Sequence, residues 1–476
     1  MVEKIKKLIP RKIFITLAPA YHFILSFLAV VSFNFPSHKI IVIGVTGTAG
    51  KTSSSYLIYK MLKEAGYKTG LTSTAVFSNG DNERLNDKKM TMPGRFFIQR
   101  MLCQMIKNEC SYAVIETTSE GIKQFRHRFI NYDVVLFTNL YPEHIESHGS
   151  FKKYKEAKGE LFKHLSRYKN KYVDSNKKVC RVKSGLKKID YTRVQKTIIV
   201  NGDDKEAGYF LNFWSEAKII YSLKPDFDCS KLEDSLSRES AVKDITVLNG
   251  SLISMSVKGL EMNINNQDLK INLLGDFNAK NVIAAYAVGL SQSIDKQKIK
   301  LGLEKVETLA GKMEVISEAK DFIAIVDYSF EPIALGNLYK TIKLFPYNKL
   351  IHVLGSTGGG RDKSRRQVLG GMAAKTADIV IVTDEDPYDE DPQAIINEVA
   401  LGAEKNGKSR GKNLFLVLDR REALKMAVNM AQEGDLVLVT GKGAEQYICL
   451  SGGKKMAWDD RMELRQAIVD KLCIDK

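Results

Sequence analysis

The segment Gly44-Val45-Thr46-Gly47-Thr48-Ala49-Gly50-Lys51-Thr52 constrains this chain more than any other feature. It follows the apolar run Ile40-Ile41-Val42-Ile43 and opens a helix-like stretch, Ser53 to Glu64. A strand that turns into a helix through a glycine-rich loop is a unit of an α/β sheet. Glycines let successive backbone N–H groups curl around phosphates, and the helix start adds partial positive charge. Lys51 can reach the β- and γ-phosphates, and the Thr52 hydroxyl can bind Mg²⁺. The strict spacing G-x-x-x-x-G-K-[ST] asks for glycine at position 45, where the chain has Val. The strand and helix context is still correct, so Gly47, Thr48, Gly50, Lys51 and Thr52 are expected to bind a nucleotide. Such a loop serves kinases, GTPases, motors and ligases alike, so other residues must choose the reaction.

The rest of the chain repeats the same architecture. Short apolar runs recur at Tyr112 to Ile115, Val134 to Phe137, Thr197 to Val200, Ile323 to Val326, Ile379 to Val382 and Leu436 to Val439, with helix-like stretches between many of them. That alternation predicts an α/β protein whose parallel sheets are covered on both faces. Residues 243–275 alternate apolar and polar more strictly, which predicts an antiparallel excursion. At about 100–200 residues per domain, 476 residues allow two to four domains. With 44% apolar and 27% charged residues, disorder and a coiled-coil rod are excluded as the dominant structure. Six irregularly spaced Cys, none in C-x-x-C, indicate neither zinc nor a redox dithiol and fit a reducing cytoplasm.

The formal net charge is +16, which suits nucleic acid, anionic lipid or a phosphorylated substrate. It is concentrated: residues 163–196 hold 12 Lys or Arg against two Asp. A solvated basic loop and contact with an anionic surface both fit. The first 12 residues carry Lys4, Lys6, Lys7, Arg11 and Lys12 against Glu3, and residues 13–35 contain no Asp, Glu, Lys or Arg. That run is about long enough to span a bilayer. A cleaved signal or a spanning helix would put the body outside the cell, away from ATP. Pro19, His22, Ser26, Ser32 and Asn34 dilute the run. A segment packed on the protein or lying in the membrane interface is therefore expected, with a re-entrant hairpin or anchor left open.

Further motifs follow in order. Glu116-Thr117-Thr118-Ser119-Glu120-Gly121 comes after a strand, then Gln124-Phe125-Arg126, then Phe137-Thr138-Asn139-Leu140 with Glu143-His144. Tyr154 to Phe162, containing Lys158, and Leu274-Gly275-Asp276-Phe277-Asn278 with Asn281 come next. With these residues the chain resembles the Mur ligase family, ATP-dependent enzymes that join an amino acid to a carboxylate in peptidoglycan synthesis. The likeness covers nearly all of residues 39–465. Gly311-Lys312-Met313-Glu314, Val326-Asp327-Tyr328, Gly359 to Lys363, Asp386-Pro387, Gly441 to Glu445 and Asp459-Asp460-Arg461 look most like the branch that adds the third stem-peptide residue, the UDP-N-acetylmuramoyl-tripeptide synthetases.

Residues 1–38 read by their charge and apolar run as a membrane-associated or packed segment; the resemblance implies a central P-loop ATPase domain with a parallel sheet over 39–308 and a C-terminal Rossmann-like domain over 309–476. It implies ATP and Mg²⁺ as cofactors. Thr52 and Glu116 would hold one Mg²⁺, and His144 with a carbamylated Lys158 a second. A plain ammonium would repel the ion, whereas a carbamate supplies hard oxygens. Asn278, Asn281, Lys312 and Asp327 would shape the nucleotide pocket. Thr118, Ser119 and Arg126 would meet a muramoyl-peptide acceptor, and Arg361, Asp386, Tyr388, Gly441 and Glu445 the incoming amino acid. Transfer of the γ-phosphoryl to a carboxylate makes an acyl phosphate that an amine attacks, which needs positioning and charge stabilisation rather than a covalent enzyme intermediate. A cytoplasmic monomer is expected, at the inner face of the membrane if the basic segments meet anionic lipid, with no nucleic-acid partner.

Departures from the family pattern sharpen these expectations. Only 43 residues precede Gly44, too few for the family's separate UDP-holding domain, so the acceptor is expected to be held differently or to be lipid-linked. Tyr388 stands where an Arg reads the distal carboxylate of diaminopimelate, and Tyr cannot make that bidentate pair. Glu385 and Asp386 make the corner acidic, which predicts a distal ammonium, as in lysine or ornithine. Phe330 and Ala444 replace histidines, and Lys312 and Ala49 stand where Arg and Asn are usual. The basic stretch near 165–195 reads as an insertion. Two alternatives remain: a folylpolyglutamate-synthetase-like ligase, and a membrane-associated ATP-binding protein with little catalysis.

Overall fold

The computed structural model describes residues 11–143, 148–180, 191–233, 236–237 and 245–474. Two sheets organise them. The larger is built from β1 (Ile41–Thr46), β2 (Thr69–Thr72), β3 (Val76–Ser78), β4 (Glu83–Leu85), β5 (Tyr112–Glu116) and β6 (Val134–Phe137). A small three-stranded sheet of β7 (Tyr172–Val173), β8 (Val179–Cys180) and β9 (Thr192–Arg193) interrupts it. The large sheet then continues with β10 (Thr197–Asn201), β11 (Ala217–Ser222), β12 (Ile245–Ser256), β13 (Gly259–Ile264) and β14 (Gln267–Ile271). Its spatial order is β14-β13-β12-β11-β10-β6-β1-β5-β2-β3-β4. From β12 through β2 every pairing is parallel, and the two ends fold back as antiparallel hairpins. The alternation in 243–275 is the hairpin end at β12 to β14, as expected.

Parallel strands buried on both faces explain the unbroken apolar runs. Ile41, Ile43 and Val45 face one core with Leu57 and Val282, while Ile40 and Val42 face the other with Ile98 and Phe162. The second sheet, β15 (Glu314–Val315), β16 (Ile323–Asp327), β17 (Leu350–Leu354), β18 (Ile379–Thr383), β19 (Leu414–Val417) and β20 (Leu436–Thr440), has the order β15-β16-β20-β17-β18-β19. Only β15 runs antiparallel. Helices cover both of its faces, giving two further cores.

The N-terminal apolar run is a helix, Arg11–Ser32, packed on the large-sheet domain. Its own Ser26, Ala29 and Val30 are buried against that domain, and the Ser26 hydroxyl donates to the Phe125 carbonyl at 2.9 Å. Among the described residues no helix is long and apolar enough to cross a membrane.

The basic stretch is less solvated than its composition suggests. Lys171 and Lys196 are buried and both pair with the buried Asp133, Lys196 at 3.0 Å. Asp133 also accepts from the Val42 amide at 2.9 Å, so these lysines tie the edge of the small sheet to the start of β1. Residues 181–190, four of whose side chains are basic, lie outside the described residues.

Candidate functional site

Strands β5 and β6 flank β1. The chain leaves β1 toward β2 on one side and later returns to β6 on the other, which opens a crevice at the carboxyl ends of these strands. The phosphate loop lies there. β1 continues through Gly44 and Val45 to Thr46, so position 45 is buried strand and needs no glycine. Gly44 is required for another reason, since a Cβ there would lie 2.8 Å from the Tyr132 ring. The turn falls on Gly47, where a Cβ would sit 1.9 Å from the Thr138 hydroxyl, and on Gly50, whose φ of +77° suits glycine. The helix begins at Lys51, two residues before the sequence reading placed it.

β6 supports the loop. The Ala49 amide donates to the Asn139 side chain at 2.8 Å, and the Thr138 hydroxyl donates to the Ala49 carbonyl at 2.7 Å. Lys51 folds back to donate to the Thr48 carbonyl at 2.5 Å, and the Thr48 hydroxyl lies 3.1 Å from that of Tyr154. Asn281 accepts from the Ser54 hydroxyl at 3.1 Å and donates to Asn278 at 2.9 Å, linking the loop helix to the hinge before Phe277. Both asparagines, with Lys312 and Asp327, line a cavity of about 330 Å³ beside Gly50. Asp327 does more than line it. Its carboxylate accepts from the Met313 amide at 2.8 Å and the Ser329 amide at 2.7 Å, so it shapes both loops that bound the cavity. Lys312 lies 4.6 Å from the Tyr328 ring, and burial holds its ammonium below the ordinary lysine range.

Thr52 and Glu116 meet directly, the hydroxyl donating to the carboxylate at 3.0 Å. Glu116 is buried and also accepts from the Thr74 amide at 2.7 Å. Among the described residues no group of three or more His, Cys, Asp or Glu gathers to hold a metal alone. The Thr52 and Glu116 pair nevertheless fits Mg²⁺, which favours hard oxygens and completes its shell from phosphates and water.

Lys158 is buried on the helix Phe151–Leu165. It donates to the Gly47 carbonyl at 2.6 Å and lies 4.6 Å from the Tyr154 ring. Burial, and then the Lys51 charge, hold it well below the ordinary lysine range. Glu143 stands close by, and burial with the neighbouring Glu331 pushes it up to about 8. His144 lies outside the described residues.

A second cavity, of about 450 Å³, joins the two domains. Its walls include Thr48, Gly50, Lys51, Thr52 and Glu116 on one side, and Arg361, Asp386, Tyr388, Gly441 and Glu445 on the other. Thr118, Ser119 and Arg126 line it too. Thr118 caps the short helix Ser119–Lys123 by accepting from the Gly121 amide, and Ser119 lies 3.1 Å from His148. Arg126 donates to Gln124 at 2.6 Å and to the Met92 carbonyl, with burial pulling it down to about 10. Arg361 is exposed at the rim. Tyr388 is held at φ +53°, and Gly441, at φ +111°, leaves no room for a Cβ beside Glu385. The Tyr328 hydroxyl donates to Glu445 at 3.0 Å.

One expectation changes here. Two of the acids at this corner, Asp386 and Glu445, are already paired with two lysines. Lys89, from the large-sheet domain, reaches both oxygens of Asp386 at 2.6 Å and Glu445 at 3.2 Å. Lys442 reaches Asp386 at 2.9 Å and Glu445 at 2.6 Å. Burial alone would lower Lys89, but Glu445 and Asp386 carry it above the ordinary range. Charge composition within one segment does not reveal this pairing, because a neutralising cation arrives from 297 residues away. Glu331, Tyr141 and Asn139 also line the cavity beside Gly50 without having been singled out by sequence, and the Tyr141 hydroxyl donates to Glu331 at 3.3 Å. Asn139 stood in a quoted motif, but Lys89 and Glu331 carry no local signal.

A phosphate loop at the end of a parallel sheet, facing a second α/β domain across a shared cleft, defines a two-domain P-loop nucleotide-binding protein. The Mur ligase middle domain matches residues 45–289, and the Mur ligase glutamate ligase domain matches residues 311–443. The chain belongs to the Mur ligase family. It is 31% identical to a UDP-N-acetylmuramyl-tripeptide synthetase of Roseiflexus sp. (strain RS-1), over 93% of this chain and 81% of that protein. The solved structure of a UDP-N-acetylmuramoyl-L-alanyl-D-glutamate–2,6-diaminopimelate ligase superposes with a TM-score of 0.55 at 26% identity, covering 91% of this chain and 79% of that one. A Mycobacterium tuberculosis folylpolyglutamate synthase reaches 0.60 at 15% identity over 90% and 96%, a likeness of fold alone.

Proposed function

We propose that the chain is an ATP-dependent, ADP-forming ligase that joins an amino acid to the carboxylate of a muramoyl-peptide in peptidoglycan precursor synthesis. One observation carries this reading: a single cleft is lined by the phosphate loop, Glu116 and Arg126 from one domain and by Arg361, Tyr388, Gly441 and Glu445 from the other. Its family membership supports the same chemistry.

In this reading Lys51 stabilises charge on the phosphates during transfer, and Thr52 with Glu116 would hold Mg²⁺, which would supply neutralising charge there. The acceptor carboxylate, steadied by Arg126, attacks the γ-phosphorus. ADP leaves, and an acyl phosphate forms. The amine of the incoming amino acid, held by Arg361 and Glu445, then attacks the acyl carbon. Phosphate leaves, and the nitrogen loses its proton as the amide forms. Lys158, depressed by burial, is an amine suited to carbamylation, and with His144 it would hold a second Mg²⁺. Closure of the two domains completes the site, because neither carries every group. The reaction takes place in the cytoplasm or at the inner face of the membrane, by a monomer. The amino acid is lysine or diaminopimelate.

The test is product mass spectrometry on purified protein with ATP, Mg²⁺, a muramoyl-dipeptide acceptor and an amino-acid mixture. An ATP-dependent tripeptide is expected. Amide formed only on a folate acceptor, or ATP turnover indifferent to every acceptor and amino acid, overturns the reading.

A further inference from the structure

The helix Arg11–Ser32 is built the wrong way round for a domain in water. Leu17, Tyr21, Ile24, Leu28 and Val31 recur at spacings of four and three, so they form one stripe along the helix. They face outward, between 40% exposed at Tyr21 and 57% at Leu17. The inward face carries the small side chains Ser26, Ala29 and Val30. A surface helix normally buries its large apolar stripe and turns polar groups to solvent. Here the inward face is fully engaged, so the exposure does not come from a helix that has failed to dock. Arg95 donates to Ser26 at 3.0 Å and to the Gln124 carbonyl at 2.5 Å, and Phe23 and Phe27 contact Phe129 at ring distances of 5.4 and 5.7 Å. A contiguous apolar patch of this kind marks an interaction surface.

Charge selects the partner. Between Glu3 and Glu64 the chain has no Asp or Glu, and Lys4, Lys6, Lys7, Arg11 and Lys12 lead into the helix. Arg128 lies over the Phe23 ring at 6.0 Å. At the other end Phe35 contacts His38, which contacts Tyr168 at 5.3 Å, between the exposed Arg167 and Lys169. Pairing this face with a second copy would bring the described cations Arg128, Arg167 and Lys169 toward those of the partner copy. An anionic bilayer surface complements both features, with headgroups meeting the cations and acyl chains taking the stripe. An apolar stripe on one face of a helix whose other face packs on the protein suits a helix lying in the interface.

We infer that this helix is an interfacial anchor that seats the protein on an anionic lipid surface through Leu17, Tyr21, Ile24, Leu28 and Val31. The inference is independent of the ligase reading, since vesicle binding and ATP turnover are separate measurements.

The test uses the full chain and sedimentation with phosphatidylglycerol-containing vesicles, phosphatidylcholine vesicles, and no vesicles. Binding to the anionic vesicles is expected, falling with added salt by about fivefold for each cation screened. Ile24→Glu with Leu28→Glu is expected to lower partitioning at least ~50-fold, since apolar burial and charge both oppose it, while leaving the melting temperature and solution ATP turnover unchanged. Failure to bind anionic vesicles overturns the inference, as does equal binding by the double variant. A dimer in ultracentrifugation that the double variant dissociates also overturns it, because a second copy would then cover the stripe.

Discussion

At the residue scale, Glu116 is the most informative position. It is buried at the end of β5, in contact with Thr52 and Thr74. Glu116→Gln preserves the volume but removes the anionic oxygen, and about a 10²–10³-fold loss in kcat for ATP turnover is expected. A Mg²⁺ titration of the variant checks this; unchanged turnover at limiting Mg²⁺ removes Glu116 from the metal site. His164 supplies a pH-dependent stability instead. Buried against the Ile130 carbonyl at 3.0 Å, it is pushed down to about 4 from an ordinary 6.5. Between those values the unfolded chain binds a proton that the folded chain refuses. Stability is therefore complete above pH 6.5 and lost as pH falls toward 4, by about 3 kcal/mol for this one group. His127, packed at 5.1 Å from His164 and also lowered by burial, acts in the same direction. His164→Asn should give a shallower fall in melting temperature between pH 7 and pH 5. A slope identical to that of the unmodified chain would assign the acid sensitivity elsewhere.

At the scale of elements, the strand and helix around the phosphate loop were readable because each residue there answers to a local rule. Apolar runs made β1, β5, β6 and β10, and glycines with positive φ made the turn. Gly50→Ala should therefore weaken nucleotide binding at least ~10-fold: it forces an L residue to φ +77° and brings a Cβ within 2.5 Å of Asn281. Calorimetric titration with ATP reads this directly. Within the basic stretch, the burial of Lys171 and Lys196 was not legible, because burial is a property of neighbours. Lys171 and Lys196 answer to Asp133, which lies in a different segment. Asp133→Ala leaves two buried ammonium groups with no carboxylate. A loss of about 3–5 kcal/mol is expected, visible as a large drop in melting temperature. A drop comparable to that of an exposed substitution would mean that water replaces the carboxylate.

At the scale of the whole molecule, the two domains meet where Lys89 crosses to Asp386 and Glu445. Lys89→Ala removes a cation from the corner that faces the amino acid. The remaining acids then favour a second ammonium and no longer offer a partner to a second carboxylate. The ratio of lysine to diaminopimelate turnover should rise by about 10-fold, roughly the value of one charge in a partly buried site. Measuring kcat/KM for both amino acids decides it, and an unchanged ratio places Lys89 outside the specificity pocket.

The sequence by itself determined the α/β class, the phosphate loop and the order of the motifs. These depend on periodicity, backbone freedom and residue chemistry, which act over a few neighbouring positions. It also carried the apolar N-terminal run, though not which of its residues face outward. Only the tertiary structure decided that Lys158 is buried beside Gly47, that Glu331 approaches Glu143, and that Lys89 balances an acidic corner far along the chain. Those outcomes rest on desolvation and Coulomb interaction between groups that folding alone brings together, and neither can be computed from spacing along a chain.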